Sequence, residues 1–335
     1  MSDINTSNPD RNLALELVRV TESAALACGR FMGRNEKNAS DHAAVEAMRL
    51  MLNTIDMTGT VIIGEGEKDD APMLFNGEIV GTGSLPSIDI AVDPIDGTSL
   101  LAMGRANALA TVAASDSGSM FNPGPFVYMN KIAVGPDAKN SIDVEAPASD
   151  NLANVARAKG CDVDDLTVVV LDRPRHKELI ADLRNTGARI RLITDGDVAG
   201  AVMTAWPGSG IDVLMGIGGT PEGVLSACAL RCMGGEIQGK LWPRNDNEKS
   251  LGHKLGYDFN SVLQMEDLVS SDNCFFAATG ITDGELVSGV KYFGDGARTH
   301  SLVMRSKSGT VREVISKHRW DKLMRFSQII YDQEQ

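Results

Sequence analysis

The sequence predicts an α/β protein built in layers, with a mixed sheet in its N-terminal half and a second, largely parallel sheet after it. Three observations carry this expectation. Two amphipathic helices open the chain, short runs rich in β-branched residues follow them, and from residue 166 onward strands and helices alternate.

The first helix is read from Leu13, Leu17, Val20, Ala24, Ala27 and Phe31, which recur at spacings of four and three and so share one face. A second helix is expected over residues 41–55, with Ala44, Met48, Leu52 and Ile55 as its apolar stripe. Residues 60–63 and 88–92 read as strands, and further strands are expected over 108–114 and 126–134. Leu166 to Leu171 is a continuous apolar run, as in a strand covered on both faces. A helix over 175–184 follows, stopping before Gly187. A strand over 188–194, a helix over 198–206, a strand over 211–215 and a helix over 222–233 complete the alternation. Such βαβ units imply parallel pairing. Residues 273–313 again read as β-rich. A boundary at Pro147 to Asp150 divides the chain into an α+β half, 1–148, and an α/β half, 149–335.

Composition narrows the function classes. A hydrophobic share of 43% and a charged share of 23% suit a globular chain of 335 residues. No apolar run approaches the ~20 residues of a membrane span, and the first ten residues lack the basic start and apolar stretch of a secretory signal. A cytoplasmic protein without a membrane partner is expected. The net charge of −13, with no block of Lys and Arg, makes nucleic acid a poor partner. The five cysteines, Cys28, Cys161, Cys228, Cys232 and Cys274, lack the partners of a zinc site and read as buried small hydrophobes.

The informative feature is where acidic residues fall. The strand over 60–63 runs into Gly64-Glu-Gly-Glu67, and the strand over 88–92 into Asp93-Pro-Ile-Asp-Gly-Thr98. Ligands of α/β proteins bind at the carboxyl ends of strands, and here two ends deliver Glu65, Glu67, Asp93 and Asp96. Four converging carboxylates would repel one another unless a cation joined them, and hard oxygen ligands suit Mg²⁺ or Mn²⁺. On spacing alone, Asp93 to Thr98 is also readable as an Asx-rich turn, the less favoured of the two readings, and Lys68 to Asp70 as a solvated loop. Asp41, read as opening a helix, needs no role beyond a cap.

The same residues resemble a family. Asp93-Pro-Ile-Asp-Gly-Thr98 is similar to the metal-binding signature of the lithium-sensitive, inositol-monophosphatase-like phosphatases. Ile63 to Glu67, Asp70 to Met73, Asp172-Arg-Pro-Arg-His176, Thr194-Asp-Gly-Asp-Val198, Gly216 to Gly223 and Ala278 to Ile281 narrow the resemblance to class II fructose-1,6-bisphosphatase. These stretches run in order from about residue 12 to 310. The resemblance implies the layered αβαβα sugar-phosphatase fold and a homo-oligomer, dimer or tetramer. It implies metal-dependent hydrolysis of the 1-phosphate of fructose 1,6-bisphosphate, in gluconeogenesis, with Mn²⁺ or Mg²⁺ as cofactor and a small sugar bisphosphate as partner.

It also assigns roles. Asp41 and Glu65 match the ligands of one metal, and Asp93, Asp96 and Glu222 those of a second. Thr98, Glu65 and Asp93 take the catalytic parts, Thr98 by orienting or deprotonating the attacking water. Asp96, Gly97 and Thr98 match substrate contacts. Tyr128, Arg173, Pro174, Arg175, Asp195, Gly196, Asp197 and Gly219 match the positions holding the sugar and its second phosphate. Two guanidinium groups at a strand end can clamp a phosphate, although surface salt bridges would also account for them. His176 fits either a phosphate contact or packing at a helix start. Some family members carry Glu where this chain has Asp96, and Trp320-Asp321 lacks the setting of the superfamily's late Trp-Asp ligand. Sedoheptulose 1,7-bisphosphate or inositol monophosphate are rival substrates, and an inactive sugar-phosphate sensor is the rival outside enzymes. The segment around Gly216 lacks the third glycine of a dinucleotide fingerprint, and no P-loop is present.

Overall fold

The computed structural model describes residues 11–65 and 74–326. The chain forms α1 (Ala14–Cys28), α2 (Lys37–Leu52), β1 (Thr58–Ile63), β2 (Ile79–Val80), β3 (Ser87–Asp96), α3 (Thr98–Ala102), β4 (Leu109–Asp116) and β5 (Tyr128–Val134). Then come α4 (Ala148–Lys159), β6 (Thr167–Leu171), α5 (Lys177–Thr186), β7 (Arg189–Ile193), α6 (Asp197–Ala205), β8 (Val213–Gly219), α7 (Thr220–Met233) and β9 (Glu236–Leu241). The last described part holds α8 (Asp246–Leu255), α9 (Met265–Leu268), β10 (Phe275–Gly280), β11 (Lys291–Phe293), β12 (Gly296–Arg305), β13 (Thr310–Arg319) and α10 (Trp320–Phe326).

Alternation of side chains along the strands builds five layers. In the first sheet, ordered β11-β12-β10-β4-β3-β1-β2 with β13 on β12, Val61, Ile90, Val92, Val112 and Val303 face α1 and α2. The opposite face sends Ile63, Ala91, Ala113, Phe276 and Leu302 against α6 and α7. Those two helices are apolar nearly all round, as a layer between two sheets must be. On their far side lies the second sheet, β7-β6-β8-β5-β9. Its outer residues Ile132, Val134, Val168, Val170 and Val213 pack on Leu152 and Val155 of α4 and Leu183 of α5. The order is helix, sheet, helix, sheet, helix.

Two expectations are corrected. The second sheet is mixed rather than largely parallel: β6 is parallel to β7 and β8, but β5 is antiparallel to both β8 and β9. A cut between residues 148 and 149 also does not follow the sheets. β5 crosses into the second sheet, and β10 to β13 return to the first. Hairpin-like stretches carry no sequence mark of which sheet they will join. The cysteines are free, and all but the half-buried Cys161 are buried.

Candidate active site

The acidic residues reach one cleft by separate routes. β1 ends at Ile63 and carries Glu65 just beyond it. Asp93 and Asp96 lie within β3, not in a turn after it. The strand continues to Asp96, with a bulge between the pairs Asp93–Thr111 and Asp96–Leu109. The bulge explains the geometry. Residues three apart in a regular strand face opposite sides, and one extra residue restores them to the same side. Pro94, having no N–H to give the ladder, sits where the ladder lapses. Gly97 then adopts φ 89° and caps α3, which begins at Thr98; that left-handed backbone is why glycine stands there. Asp41 lies inside α2, which starts four residues earlier, so it does not cap the helix. Its Oδ1 accepts the Thr98 hydroxyl at 3.3 Å. Glu222 stands in the first turn of α7.

Glu65, Asp93, Asp96, Gly97, Thr98, Tyr128, Arg173, Arg175, Asp195, Gly196, Asp197, Gly219 and Glu222 all line a cleft of ≈ 380 Å³. Glu67 and the stretch from Asp70 to Met73 lie outside the described residues.

Crowding of like charge dominates the electrostatics. Burial, then Asp41 and Glu222, push Glu65 up to about 7. Burial, then Asp197, push Glu222 up to about 7, against the pull of Lys131. Asp93 is raised well above the carboxylate range by burial and by Asp96, Glu65 and Glu222. Asp96 is raised likewise by burial, Asp197 and Glu222, and Asp41 by burial. In addition, Glu222 Oε2 is buried with no hydrogen-bond partner among the described residues. An orphaned buried oxygen among mutually repelling carboxylates fits a hard divalent cation. Among the described residues, the one acidic trio whose oxygens all lie within 4.8 Å of one another is elsewhere, at Asp162, Asp164 and Asp165. That trio is exposed, and Asp162 and Asp165 cap a short 3₁₀ turn. The cleft carboxylates therefore spread wider than a cage for a single ion.

The opposite wall comes from the second sheet. Arg173 follows β6, and its Nη2 lies 3.4 Å from Asp195 Oδ1. Arg175, beyond Pro174, donates from Nε and Nη2 to the Ile217 carbonyl at 3.0 and 2.7 Å and stands 5.1 Å over the Tyr128 ring. Asp195 Oδ2 accepts the Ser99 amide at 3.0 Å, joining the two walls. Gly196, at φ 76°, starts α6, whose Ala199 amide donates to Asp96 Oδ2 at 3.2 Å. Gly216 and Gly219 belong to β8 itself, which runs four residues further than its apolar run suggested. A Cβ on Gly219 would come within 1.6 Å of Glu222 Oε2.

With that geometry in place, the comparisons decide kinship. A family model described as bacterial fructose-1,6-bisphosphatase, glpX-encoded, matches residues 11–318. The chain belongs to this family. It is 48% identical over 325 residues to fructose-1,6-bisphosphatase 1 class 2 of Escherichia coli strain K12, covering 93% of this chain and 96% of that one. Identity and coverage are the same for the fructose-1,6-bisphosphatase class 2 of E. coli O6:H1 strain CFT073 and of Shigella flexneri. A solved structure, the extragenic suppressor protein suhB of Bartonella henselae, aligns at 12% identity and TM-score 0.31 over 55% of this chain and 68% of its own.

In this member of the bacterial fructose-1,6-bisphosphatase family, one residue below the cleft carries no mark in the sequence. Lys131 is buried, and its Nζ sits 2.8 Å from Asp197 Oδ2 and donates to the Gly219 carbonyl at 3.0 Å. The approach to Asp197 is off-line for a hydrogen bond, so Oδ2 has a charge beside it but no aligned donor. A lone lysine in a strand pattern gives no signal of this. His176 resolves in favour of packing. Its Nδ1 lies 2.7 Å from the Leu171 carbonyl, and Nε2 accepts the Ile217 amide at 2.7 Å. Accepting at Nε2 fixes the neutral tautomer protonated at Nδ1, and burial lowers the ring's pKa to match. Trp320 packs with Leu26 and Ala297 in the outer layer, and Asp321 pairs with Arg319.

Proposed function

We propose that this chain hydrolyses the 1-phosphate of fructose 1,6-bisphosphate to fructose 6-phosphate and inorganic phosphate, using Mn²⁺ or Mg²⁺ held by Asp41, Glu65, Asp93, Asp96 and Glu222. One observation carries the reading: a single cleft crowds mutually repelling carboxylates, from the buried Asp96 to the exposed Glu65, on one wall against two arginines on the other. When bound, a pair of divalent ions supplies Lewis-acid polarisation of the phosphoryl group and a more acidic water.

The chain's own residues divide the remaining work. Asp41 accepts the Thr98 proton, which leaves the lone pairs of Thr98 Oγ1 turned to the cleft as acceptor for a water proton. Glu65 and Asp93 hold that water's neighbourhood negative, which orients its protons away from the phosphorus. Asp96, Gly97 and Thr98 flank the scissile phosphate. Arg173, Pro174 and Arg175 receive the second phosphate, with Arg175 steadied by the Ile217 carbonyl and the Tyr128 face. Asp195 and Asp197 accept sugar hydroxyls, while Gly196 and Gly219 leave room for the ring. The family supports a role in gluconeogenesis, and the reading includes a cytoplasmic dimer or tetramer.

Phosphate release from fructose 1,6-bisphosphate, measured with Mn²⁺, with Mg²⁺ and with chelator, tests this reading. Release is expected only with metal, and faster than from sedoheptulose 1,7-bisphosphate or inositol monophosphate. Silence with both metals would leave the sensor reading standing; faster release from either rival would change the substrate.

A further inference from the structure

Outside the cleft, and sharing no lining residue with it, the outer end of the first sheet carries a row of cations. Lys291 of β11 stands directly opposite Arg298 of β12, and Arg298 directly opposite Lys317 of β13. Directly opposed residues share a sheet face, and adjacent strands lie about 4.7–4.9 Å apart. Three like charges are therefore held in register across three strands, an arrangement that is unfavourable without a counter-charge. All three side chains are exposed. They line, with Phe293, a hollow of ≈ 400 Å³. Lys291 is paired with Asp283. Arg298 and Lys317 have no hydrogen bond or ion pair with any described residue, although the Lys317 ammonium stands 5.5 Å over the Phe293 ring. Edge strands often carry a lysine to block pairing. That accounts for Lys317 on β13 and Lys291 on β11, which both lie at sheet edges, but not for Arg298 on the strand between them.

The surroundings sharpen the point. The chain carries 45 acidic residues against 32 Lys and Arg, so a concave surface with three cations and one paired acid is a local reversal of sign. Chance anions are repelled by such a molecule at long range. An anion that settles here must carry several charges and spread them along the row.

We propose that Lys291, Arg298 and Lys317 form a binding site for a small oligophosphate anion, separate from the catalytic cleft. Three cations in line match a chain of two or three phosphates, each offering oxygens to a different strand. The exposed Phe293 ring beside them would suit a base attached to that chain. The two sources, a nucleoside triphosphate and an inorganic oligophosphate, share this chemistry and differ at Phe293.

The test is calorimetric titration of the full chain with tripolyphosphate and, separately, with ATP, in chelator. Chelator leaves the cleft carboxylates without a cation, and competition with fructose 1,6-bisphosphate separates any binding at Arg173 and Arg175 from binding at the row. One site per chain is expected, undisturbed by excess fructose 1,6-bisphosphate. Replacing three charge-assisted contacts in Lys291→Gln/Arg298→Gln/Lys317→Gln should weaken it at least about tenfold. Arg157→Gln, which removes an exposed charge from α4, should leave it unchanged. A Phe293→Ala variant that loses affinity for ATP alone identifies the nucleoside source; equal affinity for both probes, unaffected by that change, identifies the inorganic one. The proposal falls if the triple variant binds as the parent does, or if fructose 1,6-bisphosphate displaces the probe. It falls also if the parent binds neither probe and the triple variant alone sediments as a smaller species, for then a second copy of the chain covers the row.

Discussion

Lys131 Nζ lies 2.8 Å from Asp197 Oδ2 beneath the cleft floor, with the two side chains only 1% and 5% exposed. It is the cation nearest the carboxylate group from below, and it draws the Glu222 carboxyl down against its neighbours. Removing one partner of a buried pair strands the other charge. Lys131→Met should therefore destabilise the fold by about 3–5 kcal/mol. Urea unfolding at neutral pH measures this. In the double variant Lys131→Met/Asp197→Leu most of the loss should return, because no unpaired charge is left. A single variant as stable as the parent would mean that solvent or another group already neutralises Asp197.

Thr98 offers a cleaner probe of chemistry. It is half-buried, and its hydroxyl contacts Asp41 and the Ile95 carbonyl, at 3.3 Å each. Neither contact holds an element in place. Thr98→Ala should lower kcat by about 10²–10⁴, the worth of one positioned proton acceptor, with KM and the melting temperature near those of the parent. Turnover within a few-fold of the parent would remove Thr98 from the proton path.

Much of this site could be read along the chain, and the limits of that reading have physical causes. Glu65, Asp93, Asp96 and Thr98 were legible because strand ends and acidic residues coincide in sequence. The bulge in β3 was not: Pro94 and Gly97 look like turn residues, yet pairing with Thr111 and Leu109 on β4 keeps the segment in the sheet. Asp41 was misplaced for a similar reason. An Asp near a helix start reads as a cap, but α2 begins at Lys37 because packing against α1, not local capping, fixes where it starts. Lys131 was invisible, since it acts only through residues far away in sequence, and His176 could be narrowed to two roles but not decided, because the Ile217 amide that settles it lies 41 residues on. The layers were legible from the apolar patterns, whereas sheet membership of β5 and of β10 to β13 depends on long-range pairing.

The raised carboxyl groups make a pH prediction whose sign runs against the common case. Glu65 and Glu222 both move from 4.5 to about 7 on folding. Between those values the folded chain holds protons that the unfolded chain has lost, so stability is present below the unfolded value and fades as pH rises through about 7. Metal-free protein should melt at progressively lower temperature from pH 5 to pH 7.5, on the order of a few degrees. Divalent metal competes with those protons, so saturating Mn²⁺ should raise the melting temperature at pH 7.5 more than at pH 5. Calorimetry at both values, with metal and with chelator, checks this. Equal metal stabilisation at the two pH values would detach the ions from these carboxylates.

Gly219 separates a metal-ligand role of Glu222 from a merely structural one. Its backbone, φ −68° and ψ 141°, is ordinary extended chain that alanine adopts without strain. The added methyl meets one obstacle, the Glu222 carboxylate, whose Oε2 would lie 1.6 Å from the new Cβ and whose carbon 2.3 Å away. That carboxylate belongs to a side chain able to swing aside, whereas the strand carrying Gly219 is pinned between β5 and β6. Gly219→Ala should therefore displace Glu222 and leave β8 where it is. The expected outcome is a metal activation constant raised at least about tenfold, the usual reach of a disturbed ligand environment. Unfolding free energy should stay within about 1 kcal/mol of the parent, since no core contact is lost. Titrating activity against Mn²⁺ alongside urea unfolding measures both. If metal activation is unchanged while the carboxylate is forced to move, Glu222 does not hold the metal, and its buried oxygen requires another partner.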